Sequence, residues 1–186
     1  MKKLAVKKEK QKEWFNIIAP TFEKEIGKTL ATDEKALLNR RVTVSAVDLT
    51  NNLDKYYLKF IFKIKKVEGK NAYAEFDGLE CTTDYISRMV VRRVTRIDAI
   101  QDLKTSDGRK IRVKSIAIVY SRIKSSIQKA IRAKIEQLVK SEIEKLTLEE
   151  IAKEMLKDEI KNKILKEISK IYPVKKFEIR KAEVLS

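Results

Sequence analysis

The stretch "KYYLKFIFKIKKV", Lys55 to Val67, narrows the choice of fold more than any other segment. Tyr56, Leu58, Phe60, Phe62 and Ile64 fall on one parity, and Lys55, Tyr57, Lys59, Lys63 and Lys65 on the other. Successive side chains of an extended chain point to opposite faces, so this spacing gives one aromatic, apolar face and one cationic face. Such a strand needs a core under its rings and water over its lysines, which calls for a sheet with one solvated side. Tyr56, Phe60 and Phe62 are therefore expected inside, not as a surface on which bases stack.

Other segments supply partners for that strand. "RVTVSAVDL" begins at Arg41, and "NAYAEF" is set off by Gly69 and Gly78. "TRIDAIQDLKT" and "RKIRVKSIAIVY" flank "SDG", where Asp107-Gly108 between alternating runs signals a hairpin. In its second strand Ile111 and Val113 take one face, Arg112 and Lys114 the other. Between these segments, "TTDYISRMVVRR" predicts a short helix over 84–93 with Thr83 as its cap.

After the hairpin the period changes. Ile127, Ile131, Ile135 and Leu138 recur at helical spacing, which buries one stripe and turns Lys129, Arg132 and Lys134 outward. Thr147 with Glu150 three residues on forms a capping box for a second helix, "LEEIAKEMLK". A third, "DEIKNKILKEISKI", ends before Pro173, and "VKKFEIRKAEVL" closes the chain as a strand. The expected fold class is α+β: an antiparallel β-barrel-like body with a packed helical layer in the C-terminal half. Residues 14–186 form this single domain, and residues 1–13 a flexible basic arm too cationic to order itself.

Charge narrows the partner. The chain of 186 residues has 43 Lys and Arg against 27 Asp and Glu, a formal net charge of +16. Residues 1–12 carry six lysines and one glutamate, and residues 88–134 carry fourteen basic and three acidic residues. The rest of the chain is close to neutral, so these two segments hold the excess. Eight of the eleven arginines lie in the second segment. Arginine is suited to forked phosphate contacts and to stacking on bases, so an anionic partner, nucleic acid above all, outweighs an ordinary solvated face. If residues 84–93 are helical, Arg88 and Arg92 share a face; if extended, Arg88, Arg92 and Arg96 do.

What the sequence lacks excludes much chemistry. With no histidine, neither a triad hydrolase nor a His-ligated metal site has its parts. Cys81 stands alone, so no intrachain disulfide or cysteine-cluster zinc site forms. The four glycines make neither a GxGxxG nor a Walker loop, and "GKT" at Gly27 to Thr29 lacks the upstream glycine. No apolar run approaches a membrane span and the lysine-rich start is no signal peptide, so a soluble cytoplasmic protein without cofactor, metal or membrane is expected. Glu149, Glu150 and Glu154 form a charged helix face with Lys153 and Lys157. An RNA enzyme using carboxylate-bound magnesium would need an acidic cluster in the basic region, where Asp98, Asp102 and Asp107 are scattered. A free regulator using 147–168 as a helix-turn-helix would have no glycine at the turn and a poorly charged reading helix.

The segments "EWFNIIAPTF", "GKTLAT", "DGLECTTDYISRMVVRRVTRIDAI", "KTSDGRKIRV", "IRAKI" and "KIYPVKKFEIRK" resemble, in order and spacing, the archaeal and eukaryotic ribosomal S-three-A-e family, from about Lys12 to Lys181. Asn39 stands where that family usually has glycine, and the long C-terminal extension of eukaryotic members is absent, which favours an archaeal-type chain. The resemblance implies a β-barrel body with helices, bound to small-subunit ribosomal RNA on the platform near the messenger exit. Neighbouring platform proteins, and mRNA near the exit, are the other partners it implies. Combined with the charge reading, it gives as candidate RNA contacts Lys7, Lys8, Lys10, Lys12 and Trp14 of the arm, Lys28, Arg40 and Arg41. Arg88, Arg92, Arg93, Arg96, Arg109, Arg112, Lys114, Arg122, Lys124, Lys129, Arg132 and Lys134 complete the set. Trp14 serves equally well, on sequence grounds, as a stacking residue or as an anchor in the core.

Overall fold

A computed structural model describes residues 11–185. Its strands are β1 (Glu13–Ala19), β2 (Lys24–Ala31), β3 (Arg41–Ser45), β4 (Leu58–Glu68), β5 (Asn71–Cys81), β6 (Thr95–Lys104), β7 (Lys110–Val119) and β8 (Val174–Leu185). The helices are α1 (Ala46–Thr50), α2 (Thr83–Met89), α3 (Ser125–Ile143), α4 (Leu148–Lys157) and α5 (Glu159–Ser169). The α+β class holds. Strands β1 and β2 were not legible in the sequence, where the first forty residues offered no alternation; the arm of 1–13 lies mostly outside the described residues, and the body begins at Glu13 in β1.

The eight strands form one sheet, and it is open, not a barrel. Strand β5 is the hub. One edge pairs antiparallel with β4 along its length, and the other is shared. Its first residues pair with β1, in parallel, and Gly78 to Glu80 pair with β8. A Cβ on Gly78 would lie 2.3 Å from the Ala182 carbonyl oxygen, so this seam closes only around glycine. The order continues from β8 to β7 to β6, whose outer edge meets α3 instead of a strand. There Arg132 of α3 donates from Nε to the Asp98 carbonyl oxygen at 2.9 Å, satisfying an edge group that closure would have used.

Phe60, Phe62 and Ile64 are fully buried, as their alternation requires. The pattern fails at its start: Tyr56 is 55% exposed while Tyr57 and Lys55 are buried. Leu53–Lys55 form a 3-10 turn, so the strand begins at Leu58 and the parity cannot be extended back through the turn. Helices α3, α4 and α5 close the core with Ile131, Ile135, Ile151, Met155, Ile164 and Ile168. The Thr147–Glu150 capping box forms, and Asp107 at the hairpin tip accepts from the Leu148 amide at 2.9 Å, tying the hairpin to α4. Only Asp158, in the left-handed conformation, separates α4 from α5, so no helix-turn-helix turn exists there. Asn39 also has a left-handed backbone (φ 64°), the conformation that glycine or asparagine tolerates best.

Candidate nucleic-acid interface

Helix α2 lies on the opposite face of the sheet from the main core. Ile86 and Met89 cover Ile116 and Ile118 of β7 as a second small apolar cluster. The helix stops at Met89, Thr82 is its N-cap residue, and Arg93 sits in a left-handed turn (φ 69°). The expected helix over 84–93 is therefore too long, and Arg92 does not share a helical face with Arg88. What joins these arginines is the sheet. The start of β6 pairs with the end of β7 (Thr95 with Val119), and Val119 pairs with Val174 at the start of β8. Thr95 Oγ1 donates to the Ser121 carbonyl at 2.8 Å, and the Ser121 and Tyr172 hydroxyls meet at 2.8 Å. Three connections, 90–94, 120–124 and 170–173, thus lie at one end of the sheet.

Each of those connections is free of acid. No Asp or Glu occurs between Asp84 and Asp98, between Asp107 and Glu136, or between Glu167 and Glu178. The end they form carries Arg88, Arg92, Arg93, Arg122, Lys124, Lys175 and Lys176, all exposed. The side chains of Arg88, Arg92, Arg93, Arg122 and Lys124 make no hydrogen bond or ion pair with any described residue. Tyr120 (62% exposed) and Val91 (51%) stand among them as flat and apolar contacts. Sequence reasoning missed Lys175, Lys176 and Tyr120; the acid-free run between Glu167 and Glu178 was the signal for the two lysines.

The remaining candidate arginines are engaged within the protein. Arg112 forks onto Asp102 at 2.6 and 2.7 Å, and Lys114 pairs with Glu183 at 3.1 Å. Strand register places Asp102, Arg112 and Glu183 side by side on β6, β7 and β8, so the face expected to be cationic is a ladder of alternating sign. The hydrogen bond from Arg112 holds the Asp102 carboxyl below the usual carboxylate range, and Lys181 with Lys114 does the same for Glu183. Arg96 forks onto Asp98 (2.9 Å from Nε to Oδ2), Arg109 meets Glu75 at 3.2 Å, and Arg41 meets Asp77 at 2.6 Å. Arg40 donates to Thr29 Oγ1 and the Leu30 carbonyl of β2. Lys129 is exposed and Lys134 half-buried on α3. Lys28 and Trp14 belong to β2 and β1, at the other edge of the sheet order. Trp14 is 59% exposed and Phe15 is the core anchor beside it; Lys12 is exposed, and Lys7, Lys8 and Lys10 lie outside the described residues.

Beneath this surface a buried polar network joins the sheet to the helices. Glu178 of β8 accepts from the Tyr85 hydroxyl at 2.8 Å and from Lys161 at 3.1 Å; Lys161 also donates to the Tyr57 hydroxyl at 3.1 Å. Lys161 pairs with Asp158 at 3.0 Å, and Lys55 pairs with the same carboxylate. Burial would lower the Lys161 ammonium, but Glu178 and the Tyr57 hydroxyl outweigh it and hold the pKa above normal. Desolvation, with Glu178 beside them, pushes both Tyr57 and Tyr85 up. Burial pushes the Cys81 thiol up to about 12, so it is an inert packing group. Among the described residues no three metal-ligating side chains converge, and no helix is long and apolar enough to cross a membrane.

An α+β scaffold that engages the arginines of its strands internally and gathers unpartnered arginines at one acid-free end suits a polyanion. Comparison with known proteins gives that surface its context. The Ribosomal S3Ae family profile matches residues 1–186. The protein named small ribosomal subunit protein eS1 from Methanothrix thermoacetophila is 38% identical over 179 residues, covering 95% of this chain and 85% of its own length. That from Archaeoglobus fulgidus is 37% identical (94% and 85%), and that from Methanothermobacter thermautotrophicus 38% (95% and 91%). The chain belongs to the Ribosomal S3Ae family, in its archaeal form: it is a ribosomal protein and not an enzyme.

Proposed function

We propose that this chain is a structural constituent of the small ribosomal subunit in the cytoplasm, and that it grips ribosomal RNA through the acid-free end of its sheet. The observation that carries this reading is the set of exposed, unpartnered cations Arg88, Arg92, Arg93, Arg122 and Lys124. Phosphate is their natural counterion, and forked guanidinium donors hold it in a defined orientation. The likeness to proteins named for the small subunit, over most of their length, supports the same reading. On it, the subunit platform near the messenger exit is the site, other platform proteins are neighbours, and mRNA passes close by. Lys7, Lys8, Lys10 and Lys12 extend the grip along the RNA, with Trp14 stacking on a base or on a protein neighbour. The internally bonded cations Arg40, Arg41, Arg96, Arg109, Arg112, Lys114 and Arg132 serve first to hold the body, and Lys28, Lys129 and Lys134 to border the grip.

Binding to purified small-subunit RNA as a function of salt tests the proposal. Neutralising about six phosphates gives a loss of affinity on the order of a thousandfold between about 50 and 200 mM salt. A flat salt response, or release of the protein from small subunits in a mild salt wash, contradicts it; the second result would favour a free nucleic-acid-binding regulator. Cross-linking within the assembled subunit checks the platform location.

A further inference from the structure

Beside the acid-free end lies a cavity of about 200 Å³ lined by Tyr56, Tyr85, Arg88, Met89, Ile118, Lys175 and Lys176. Three features of it are informative together. Its floor is apolar, from Met89 and Ile118, both buried. Its rim holds three cations, and of these only Lys176 is engaged, lying over the Tyr85 ring at 5.3 Å from the centroid. Its wall holds a tyrosine that the fold leaves uncovered. Tyr85 is stacked on Tyr57 at 4.0 Å, whereas Tyr56 is 55% exposed and its one ring contact among the described residues, with Tyr57, is perpendicular.

Each feature has its counterpart in a single unpaired nucleotide. A flat ring fits against an exposed aromatic side chain, an apolar floor receives its edge, and cations at the rim meet the flanking phosphates. The volume is below the roughly 300 Å³ at which clefts for larger small molecules begin, so the enclosed space suits a single base. We propose that this cavity receives one base turned out of the RNA, stacked on Tyr56, with its phosphates on Arg88 and Lys175. The proposal rests on the RNA-binding reading above and adds to it a preference for an unpaired nucleotide.

The test uses the full chain and two RNA hairpins, identical except that one carries a single bulged nucleotide. At fixed salt the wild-type protein should bind the bulged hairpin more tightly, on the order of tenfold, from one base–aromatic stack. Tyr56→Ala should erase that difference and leave affinity for the plain hairpin unchanged, while Tyr56→Phe keeps the ring and should keep the difference. Arg88→Gln should weaken both complexes. A photoreactive uridine in the bulge should cross-link the wild-type protein at Tyr56, a readout that needs no variant. Equal wild-type affinity for the two hairpins, an equal loss on both with Tyr56→Ala, or a cross-link elsewhere overturns the pocket and leaves the RNA-binding reading standing. Failure of the wild-type protein to bind either hairpin strikes at that reading itself, and the pocket falls with it.

Discussion

Arg112 on β7 and Arg93 in the turn before β6 come from the same arginine-rich segment, yet their surroundings are opposite. Arg112 is flanked by Asp102 and Glu183 from the neighbouring strands and has a fork partner at 2.6 Å. Arg93 lies in an acid-free connection and has no partner among the described residues. The first kind of cation is spent on the fold and the second is available to a ligand. A count of basic residues along the chain cannot tell them apart, because the neutralising acids arrive from strands distant in sequence.

The largest effect should come from breaking the paired kind where it is buried. Lys161→Met leaves the carboxylate of Glu178, which is 6% exposed, with the Tyr85 hydroxyl as its one side-chain hydrogen-bond partner among the described residues. Removing one member of a buried pair costs roughly 3–5 kcal/mol, read as a lower unfolding midpoint, with RNA affinity at folding temperatures unchanged. The same network predicts alkaline lability. Lys161, Tyr57 and Tyr85 all have folded pKa values raised above those of the unfolded chain. The native state keeps these protons longer, so their contribution is whole below about pH 10 and is lost as the pH rises through the folded values. Lys55, which burial pushes down, acts in the opposite sense below that range. A denaturant midpoint that does not fall above about pH 10 would contradict this.

Next in size is removal of the bare kind. Changing Arg88, Arg92 and Arg93 together to alanine should cost RNA binding several hundredfold, roughly 3–4 kcal/mol, since each hydrogen bond to a charged group is worth about 1.5–3 kcal/mol. The unfolding midpoint should hardly move, as all three side chains are exposed and unpartnered. Changing them to lysine keeps the charge and loses the forks, for an expected loss of about 1 to 3 kcal/mol. Equal affinity of the wild-type and triple-lysine proteins, measured by equilibrium binding, would reduce this end to a solvated basic face.

How much of this could be read from residues alone depends on how local the cause is. Phe60 and Phe62 are where period two puts them, the Asp107-Gly108 hairpin forms, and the Thr147 capping box closes. Each of those depends on neighbours a few residues away. The expected barrel does not close because the end strands β2, β3 and β6 do not pair with one another, and which strands pair is decided by contacts far apart in sequence. Tyr56 was misplaced because a 3-10 turn resets the parity just before β4. At the acid-free end, the arginines around Met89 are visible in the sequence as a cluster, but Lys175 and Lys176 join them through the β7–β8 pairing. The ladder that occupies Arg112 and Lys114 was hidden for the same reason.

The smallest effect is expected on the ladder, and it bears most directly on whether pairing is what separates the two kinds of arginine. Arg112→Ala removes a side chain that is mostly outside the core, and exposed ion pairs contribute about 0–1 kcal/mol, so the unfolding midpoint should fall little. RNA affinity should fall by less than about threefold, since screening at physiological salt weakens a charge more than about 8 Å from the nearest phosphate. The reverse change is sharper. Asp102→Asn with Glu183→Gln preserves the shape of the ladder but strips Arg112 and Lys114 of their carboxylate partners. If those partners keep the two cations from RNA, the double variant should bind a few-fold more tightly and show a steeper salt dependence, with roughly one to two more phosphates engaged. Were affinity and slope unchanged, position on the sheet rather than neutralisation would decide which cations meet RNA, and the contrast between Arg112 and Arg93 would need a geometric cause instead of an electrostatic one.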